Sequence, residues 1–491
     1  MDERNSEHVG VAIIGAGFAG LGMAIRLEQS GVHDYVVFER ADEVGGTWRE
    51  NHYPGCCCDV PSHVYSYSFE LNPKWTRGFA PQWEILDYLK ACAAKYGVRP
   101  HIRFGHAVSE AAWDDSARHW RVETSGGTFT ADVLVNASGA LSEPKDPDIP
   151  GLESFTGKSF HSATWDHDHD LTGERVAVIG TGASAIQFVP AIQPQVGRLH
   201  LFQRTPPWVI PRFDHQITRV EHALLRIPFA PALVRAVLYW LLETRVVGFR
   251  RPWVMKLADR AGRWQLKRQV PDPELREKLL PDYTMGCKRI LISDNYYPSL
   301  THPNVEVVTD GIAEVRERSI VTSDGTEREV DTIIFGTGFS VTKQPIARHI
   351  RGRDGRTLAE HWETSMQAYL GTTVAGFPNF LVMTGPNTGL GHNSMVFMIE
   401  SQLSYVLDCL RVLRERGAET FEVRPDVVER YNAELAKQME GTVWTAGHCQ
   451  SWYLDDTGRN TTLWPSFSYS FRRRTRRFDP ESYELASCSP S

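Results

Sequence analysis

Cysteine in a regular pattern is the first thing this 491-residue chain lacks. Its eight cysteines show no even spacing, and three of them, Cys56, Cys57 and Cys58, are consecutive. A disulfide framework is therefore not expected, and a reducing cytoplasm is the default compartment. Charge of one sign is scarce too. The net charge of -7 is small for the length and gives no reason to expect nucleic acid as a partner. No long uninterrupted apolar run is present: the longest candidate, Ile227 to Phe249, carries Arg235, Glu243 and Arg245 and has prolines near its start. It reads as a packed amphipathic helix rather than a spanning one, with an interfacial membrane helix as the alternative, and whether residues 227–249 touch a membrane is left open. The early apolar run Val9 to Ile14 is too short for a secretory signal and leads straight into glycines. With 42% hydrophobic and 23% charged residues, disordered and fibrous classes are excluded, and the length suits two or three domains around a large core.

What is present begins with that apolar run. Val9 to Ile14 reads as a buried parallel strand followed by Gly15-x-Gly17-x-x-Gly20 and a helical pattern through Leu27. Glycines are required there for a tight turn, for close approach of backbone to a pyrophosphate and for helix–strand packing, and the helix start offers positive potential to phosphates. A second strand, Tyr35 to Phe38, ends at Glu39, where a carboxylate can bond ribose hydroxyls. The same pattern returns at Arg175 to Ile179 with Gly180-x-Gly182-x-x-Ala185, where alanine stands in the third glycine's place. Its second strand, Leu199 to Phe202, ends not in an acid but in Gln203-Arg204-Thr205. A carboxylate repels a 2′-phosphate; a guanidinium pairs with one bidentately and a threonine hydroxyl adds a bond. The charge contrast between Glu39 and Arg204 assigns FAD to the first site and NADPH to the second.

Between the two lies Phe155-x-Gly157-x-x-x-His161-x-x-x-Trp165-Asp166, and after the first site comes Gly45-Gly46-Thr47-Trp48-Arg49-Glu50-Asn51-His52-Tyr53-Pro54-Gly55-Cys56-Cys57-Cys58-Asp59. Flavin disulfide reductases place a redox cysteine pair after a similar Gly-Gly-Thr, but the first of those positions is Trp48 here, so that dithiol cannot form. The triple cysteine reads as a packing segment. Both stretches resemble the motifs of type I Baeyer–Villiger monooxygenases, within the wider flavin-containing monooxygenases. So do the Lys288-Arg289 pair with Tyr296-Tyr297, and Asp331 to Phe339, where Gly336 replaces the usual alanine.

That resemblance covers essentially the whole chain. It implies an α/β fold of two Rossmann-like dinucleotide domains, the NADPH domain nested in the FAD domain, with a helical insertion. The expected division is 1–143 for the first part of the FAD domain, 144–172 for a linker carrying the fingerprint, and 173–214 for the first part of the NADPH domain. The insertion follows at 215–283, the second part of the NADPH domain at 284–339 and that of the FAD domain at 340–491. For FAD it implies contacts from Gly15, Gly17, Ala19, Gly20 and Glu39, then from Thr47, Trp48, Arg49, Glu50, Asp59 and Tyr65, with Asn387 and Thr388 as hydrogen-bonding candidates. For NADPH it implies Cys57, Cys58, Thr181, Gly182, Ala183 and Ser184, then Ala185, Gln187, Arg204, Thr205 and Lys288. Arg289 and Asp59 are the expected catalytic residues, acting on O2 and a ketone through a peroxyflavin to give an ester or lactone, with sulfides as further substrates. His161 reads as a hinge or core residue. The run Asp166 to Asp170 reads as solvated, no metal site is expected, and the aromatics Trp444, Trp452, Tyr453 and Trp464 are candidates to cover a substrate cavity. An N- or S-oxygenating flavin monooxygenase and an uncoupled NADPH oxidase remain the alternatives; the ketone and the oligomeric state are left open.

Overall fold

A computed structural model describes residues 7–141, 143–145, 147–447, 449 and 451–487. The apolar strand runs from Glu7 to Ile14 and lies inside an eight-stranded sheet. Parallel strands Tyr35–Glu39 and Gly127–Asn136 flank it. Successive side chains of a strand point to opposite faces, and here each face meets a different core. Val11 and Ile13 join the helices Phe18–Gln29 and Met395–Arg416, while Ala12 and Ile14 join Trp113, Trp120 and Phe380. Two short strands from late in the chain complete this sheet: Ile350–Arg351 pairs with Val108–Asp114, and Phe380–Val382 pairs with Gly127–Asn136.

The second sheet has five parallel strands in the order Val305–Val308, Arg198–Phe202, Arg175–Ile179, Thr332–Phe335, Lys158–His161. It is nested between the two parts of the first, which is the two-Rossmann α/β arrangement. One boundary moves. The stretch 144–172, expected as a linker, contributes the edge strand Lys158–His161 to the second sheet. The strand is four residues long with a single large apolar side chain, Phe160, too little alternation to be legible. Trp165 packs against Phe160 and Phe188, and Asp166 pairs with Lys158 at 2.5 Å, so the fingerprint is fastened to the second domain.

The insertion leaves through Val209–Ile210 and returns through Leu291–Ile292, which pair with each other. Between them run the helices Arg219–Leu225, Ala230–Glu243, Val246–Arg250, Pro252–Gln269 and Pro273–Lys278. Ala230–Glu243 is helical and packed on one side as expected, through Leu238, Tyr239 and Leu242, but its apolar side chains Leu233, Val237, Trp240 and Leu241 are exposed. Among the described residues no single helix is long and apolar enough to cross a membrane.

The cysteine expectation is also corrected. Cys287 and Cys449 form a disulfide, brought together by the fold across 162 residues of sequence, a separation that no local spacing can announce. Cys488 lies outside the described residues. Thiol titration of the denatured, unreduced protein is expected to find two thiols fewer than titration after reduction; equal counts would remove the bond.

Candidate active site

The first cradle is built by close approach. A Cβ on Gly20 would lie 1.8 Å from the Gly15 carbonyl oxygen, so no side chain fits where the helix starting at Phe18 crosses the strand end. Gly17 caps that helix without a side-chain hydrogen bond, which leaves its first amides to a phosphate. Glu39 is buried at the end of the second strand, its carboxylate accepting from the amides of Ala16 at 2.8 Å and Ala41 at 3.0 Å. Thr47, Trp48, Arg49 and Glu50 form one short helix beside it. Trp48 donates from Nε1 to the Tyr65 hydroxyl at 3.1 Å, and Tyr65 rests edge-on against Phe18. Arg49 pairs with Glu50 at 2.6 Å.

The Tyr-Pro-Gly-Cys run is where the two domains touch. A Cβ on Gly55 would lie 2.8 Å from the Gln187 carbonyl, so the helix Ala185–Ile192 of the second domain presses directly on this backbone. Gln187 accepts from the Tyr53 hydroxyl at 3.0 Å and the Cys57 amide at 3.2 Å and donates to the Cys57 carbonyl at 3.0 Å. Burial pushes the Cys57 thiol up, although Arg212, 2.6 Å from its sulfur, pulls it back. The Cys58 side chain is fully buried, and that burial pushes its thiol well up.

In the second cradle the two departures from the family pattern meet. A Cβ on Gly336 would sit 3.3 Å from the Cβ of Ala185. An extra methyl at one position is thus matched by a missing methyl at the other. Gly336→Ala alone is expected to cost about 1–3 kcal/mol by overpacking, and adding Ala185→Gly to restore most of it. Additive losses in a thermal-melting double-mutant cycle would show that the two positions are independent. Thr181 fixes the loop by donating to the Thr205 carbonyl at 3.3 Å, and Gly182 and Ala183 are exposed beside Ser184.

Arg204 is exposed at the strand end, and Lys288 comes to it from the returning segment, its ammonium 4.8 Å above the Tyr283 ring. Burial and then the charge of Arg204 lower the Lys288 pKa. Two cations are held close enough to repel, the arrangement a phosphate relieves.

Asp59 and Arg289 lie between the cradles. They are 230 residues apart in sequence, and Arg289 donates from Nε at 3.0 Å and Nη2 at 2.5 Å to one Asp59 oxygen. The Asp59 charge raises the Arg289 pKa and outweighs the opposing effect of burial, so the guanidinium is a permanent cation. Tyr453 stands against it: burial pushes that phenol up to about 12, with Arg289 holding it from going higher.

Of the four aromatics, Trp444 and Trp464 are consumed in packing, Trp452 is partly exposed, and Tyr453 alone is tied to Arg289. Asn387 and Thr388 are buried with their side chains engaged internally. Asn387 donates from Nδ2 to the carbonyls of Asn460 at 2.8 Å and Leu463 at 3.0 Å, and the Thr388 hydroxyl donates to the Gly385 carbonyl at 2.7 Å. With the amides of Asn387 and Gly389 donating to the carbonyls of Thr461 and Thr462, both at 2.8 Å, these bonds fix the loop. His161 is buried, accepting from the Ala163 amide at 3.1 Å, with its ring edge-on to Phe339. In the Asp166–Asp170 run, His169 bonds Thr332 and Asp170 caps the Thr172 amide. Sequence reasoning missed Glu243, a buried acid accepting from His392 at 3.3 Å, Asn393 at 2.8 Å and the Ser468 hydroxyl at 2.9 Å. The one available signal was an acid inside an otherwise apolar helix.

A family model for pyridine nucleotide-disulphide oxidoreductases matches residues 12–218. A Baeyer–Villiger monooxygenase of Streptomyces coelicolor is 54% identical, covering 100% of this chain and 95% of its own. One of Pseudomonas aeruginosa is 53% identical, covering 98% and 92%. The chain belongs to the Baeyer–Villiger monooxygenase family. Cyclohexanone monooxygenase from Rhodococcus sp. Phi1, solved with NADP+, superposes with a TM-score of 0.88 at 28% identity, covering 99% of this chain and 100% of its own. A steroid monooxygenase bound to NADP gives 0.86 at 32% identity, covering 98% and 100%. This Baeyer–Villiger monooxygenase is thus an FAD- and NADPH-dependent flavoprotein monooxygenase, and a similar cyclohexanone monooxygenase is solved with epsilon-caprolactone bound.

Proposed function

We propose that Arg289, held by Asp59, is the cation that makes oxygen insertion possible, and that the two cradles hold their cofactors through the residues described above. The glycine crossing at Gly15 to Gly20, the uncapped helix start and buried Glu39 fit FAD; the repelling Arg204–Lys288 pair fits the 2′-phosphate of NADPH. Bound FAD, reduced by NADPH, supplies the chemistry that activates dioxygen.

The protein's part is electrostatic. Oxygen attack on a ketone carbonyl develops negative charge on its oxygen, and a preorganised donor that cannot lose its proton lowers that barrier. Arg289 is such a group, and Asp59 fixes it through two nitrogens so that no reorganisation is needed at the moment of reaction. The pair that carries this reading bridges the domains, with Asp59 on the flavin side and Arg289 on the NADPH side. Tyr453, a phenol that stays protonated at neutral pH, closes the guanidinium from water on one side.

A ketone is the substrate class this site suits. The test is an NADPH-oxidation screen of linear, cyclic and aryl ketones and a thioether, with product analysis and peroxide measured per NADPH. Esters or lactones are expected from at least one ketone class. Sulfoxide alone, or peroxide equal to NADPH consumed with every ketone, would overturn the reading.

A further inference from the structure

The helix Ala230–Glu243 carries apolar side chains on its outward side as well as its inward one. Inward, Leu238, Tyr239 and Leu242 pack on the core beside polar groups: Arg235 donates to the carbonyls of His63 at 3.2 Å and Ser66 at 2.9 Å, and Glu243 is the buried acceptor described above. Its outward side is apolar. Phe229, Leu233, Val237, Trp240 and Leu241 follow one another at helical spacing, with Phe229 86% and Leu233 65% exposed. The preceding helical turn adds Val220, Leu224 and Ile227, also exposed. The helix Pro252–Gln269 repeats the theme with exposed Trp253, Leu257 and Trp264 between exposed Lys256, Arg260 and Lys267.

Charge points to the partner. Residues 219–268 contain eleven Arg and Lys against three Asp and Glu, in a chain whose net charge is -7. The insertion is therefore strongly basic on an acidic protein, and one of its three acids, Glu243, is buried.

We propose that this insertion seats the enzyme on an anionic lipid surface, its apolar stripes entering the headgroup boundary and its arginines and lysines meeting lipid phosphates. Apolar and tryptophan side chains alternating with Arg and Lys suit a helix lying in that interface. An orientation along the interface follows from shape: among the described residues no single helix is long and apolar enough to cross the bilayer, and Arg219–Leu225 and Ala230–Arg250 are bent by 104° from one another. A second copy of the chain is the weaker occupant, because a two-fold interface sets this basic face against itself.

The FAD-loaded full-length enzyme is mixed with phosphatidylcholine vesicles with or without phosphatidylglycerol and sedimented. Binding is expected to the anionic vesicles, at least tenfold weaker to the neutral ones, and to fall as salt is raised. L233E/W240E and, separately, R260E/R263E are expected to lose at least tenfold of that binding while keeping the flavin absorbance and NADPH turnover of the parent. Absence of sedimentation with anionic vesicles at low salt would overturn the proposal, as would full binding by both variants. So would a concentration-dependent dimer that L233E/W240E dissolves, which would make the face a contact between copies.

Discussion

Arg289→Ala is expected to leave NADPH able to bleach the flavin at near the parental rate while ester formation falls about 10³-fold, the scale of losing a preorganised oxyanion donor. NADPH consumed would then appear as peroxide. The distinction matters because Arg289 pairs with Asp59 across the domain interface, so its removal also leaves a carboxylate without its partner. The double variant Arg289→Ala/Asp59→Ala separates the two effects. If the loss comes from the missing cation, the double variant is as inactive as the single one. If it comes from the stranded carboxylate, activity returns. Parental ester yield from Arg289→Ala would remove this residue from the mechanism.

The second large effect is expected from Arg204→Ala: KM for NADPH rises about 100-fold, equivalent to one charge-assisted bidentate contact, while KM for NADH stays unchanged. Lys288→Ala is expected to act in the same direction but about tenfold, as a single point charge on a flexible stem. Sign follows from the geometry. Burial and Arg204 lower the Lys288 pKa in the free enzyme, so NADPH affinity falls as pH rises through that lowered value, and NADPH binding at high pH takes up a proton. An NADPH-to-NADH preference that Arg204→Ala does not move would place the phosphate elsewhere.

The parts of the site legible in the sequence were those set by local necessity. Glycine at position 20 is demanded by a backbone oxygen that any Cβ would strike, and an acid or a base at the end of the second strand is a choice between ribose and phosphate. The strand Arg175–Ile179 was likewise readable end to end, because a buried parallel strand is a nearly continuous apolar run. What escaped was non-local. Lys158–His161 becomes a strand only because Thr332–Phe335 lies beside it. Cys287 finds Cys449, and Tyr453 finds Arg289, through loops whose path no spacing encodes. The exposed apolar face of Ala230–Glu243 escaped for a different reason. Periodicity marks apolar positions but does not say which of them meet solvent, and buried Leu242 and Glu243 decided that.

The late strands of the first sheet bear on how the chain assembles. A nascent chain that has reached Phe335 holds every strand of the second sheet, while Trp120 still lacks Phe380, the ring that packs 5.6 Å from it. The domain begun first is therefore finished last. Closing a loop of more than two hundred residues as free chain costs entropy; once the nested domain has folded, its two ends leave from neighbouring strands, Lys158–His161 and Thr332–Phe335, and the remaining gap is short. The nested domain thus acts as a clamp on its host, and slowing its folding leaves the half-built first sheet, with its apolar face and strand edge, exposed to aggregation.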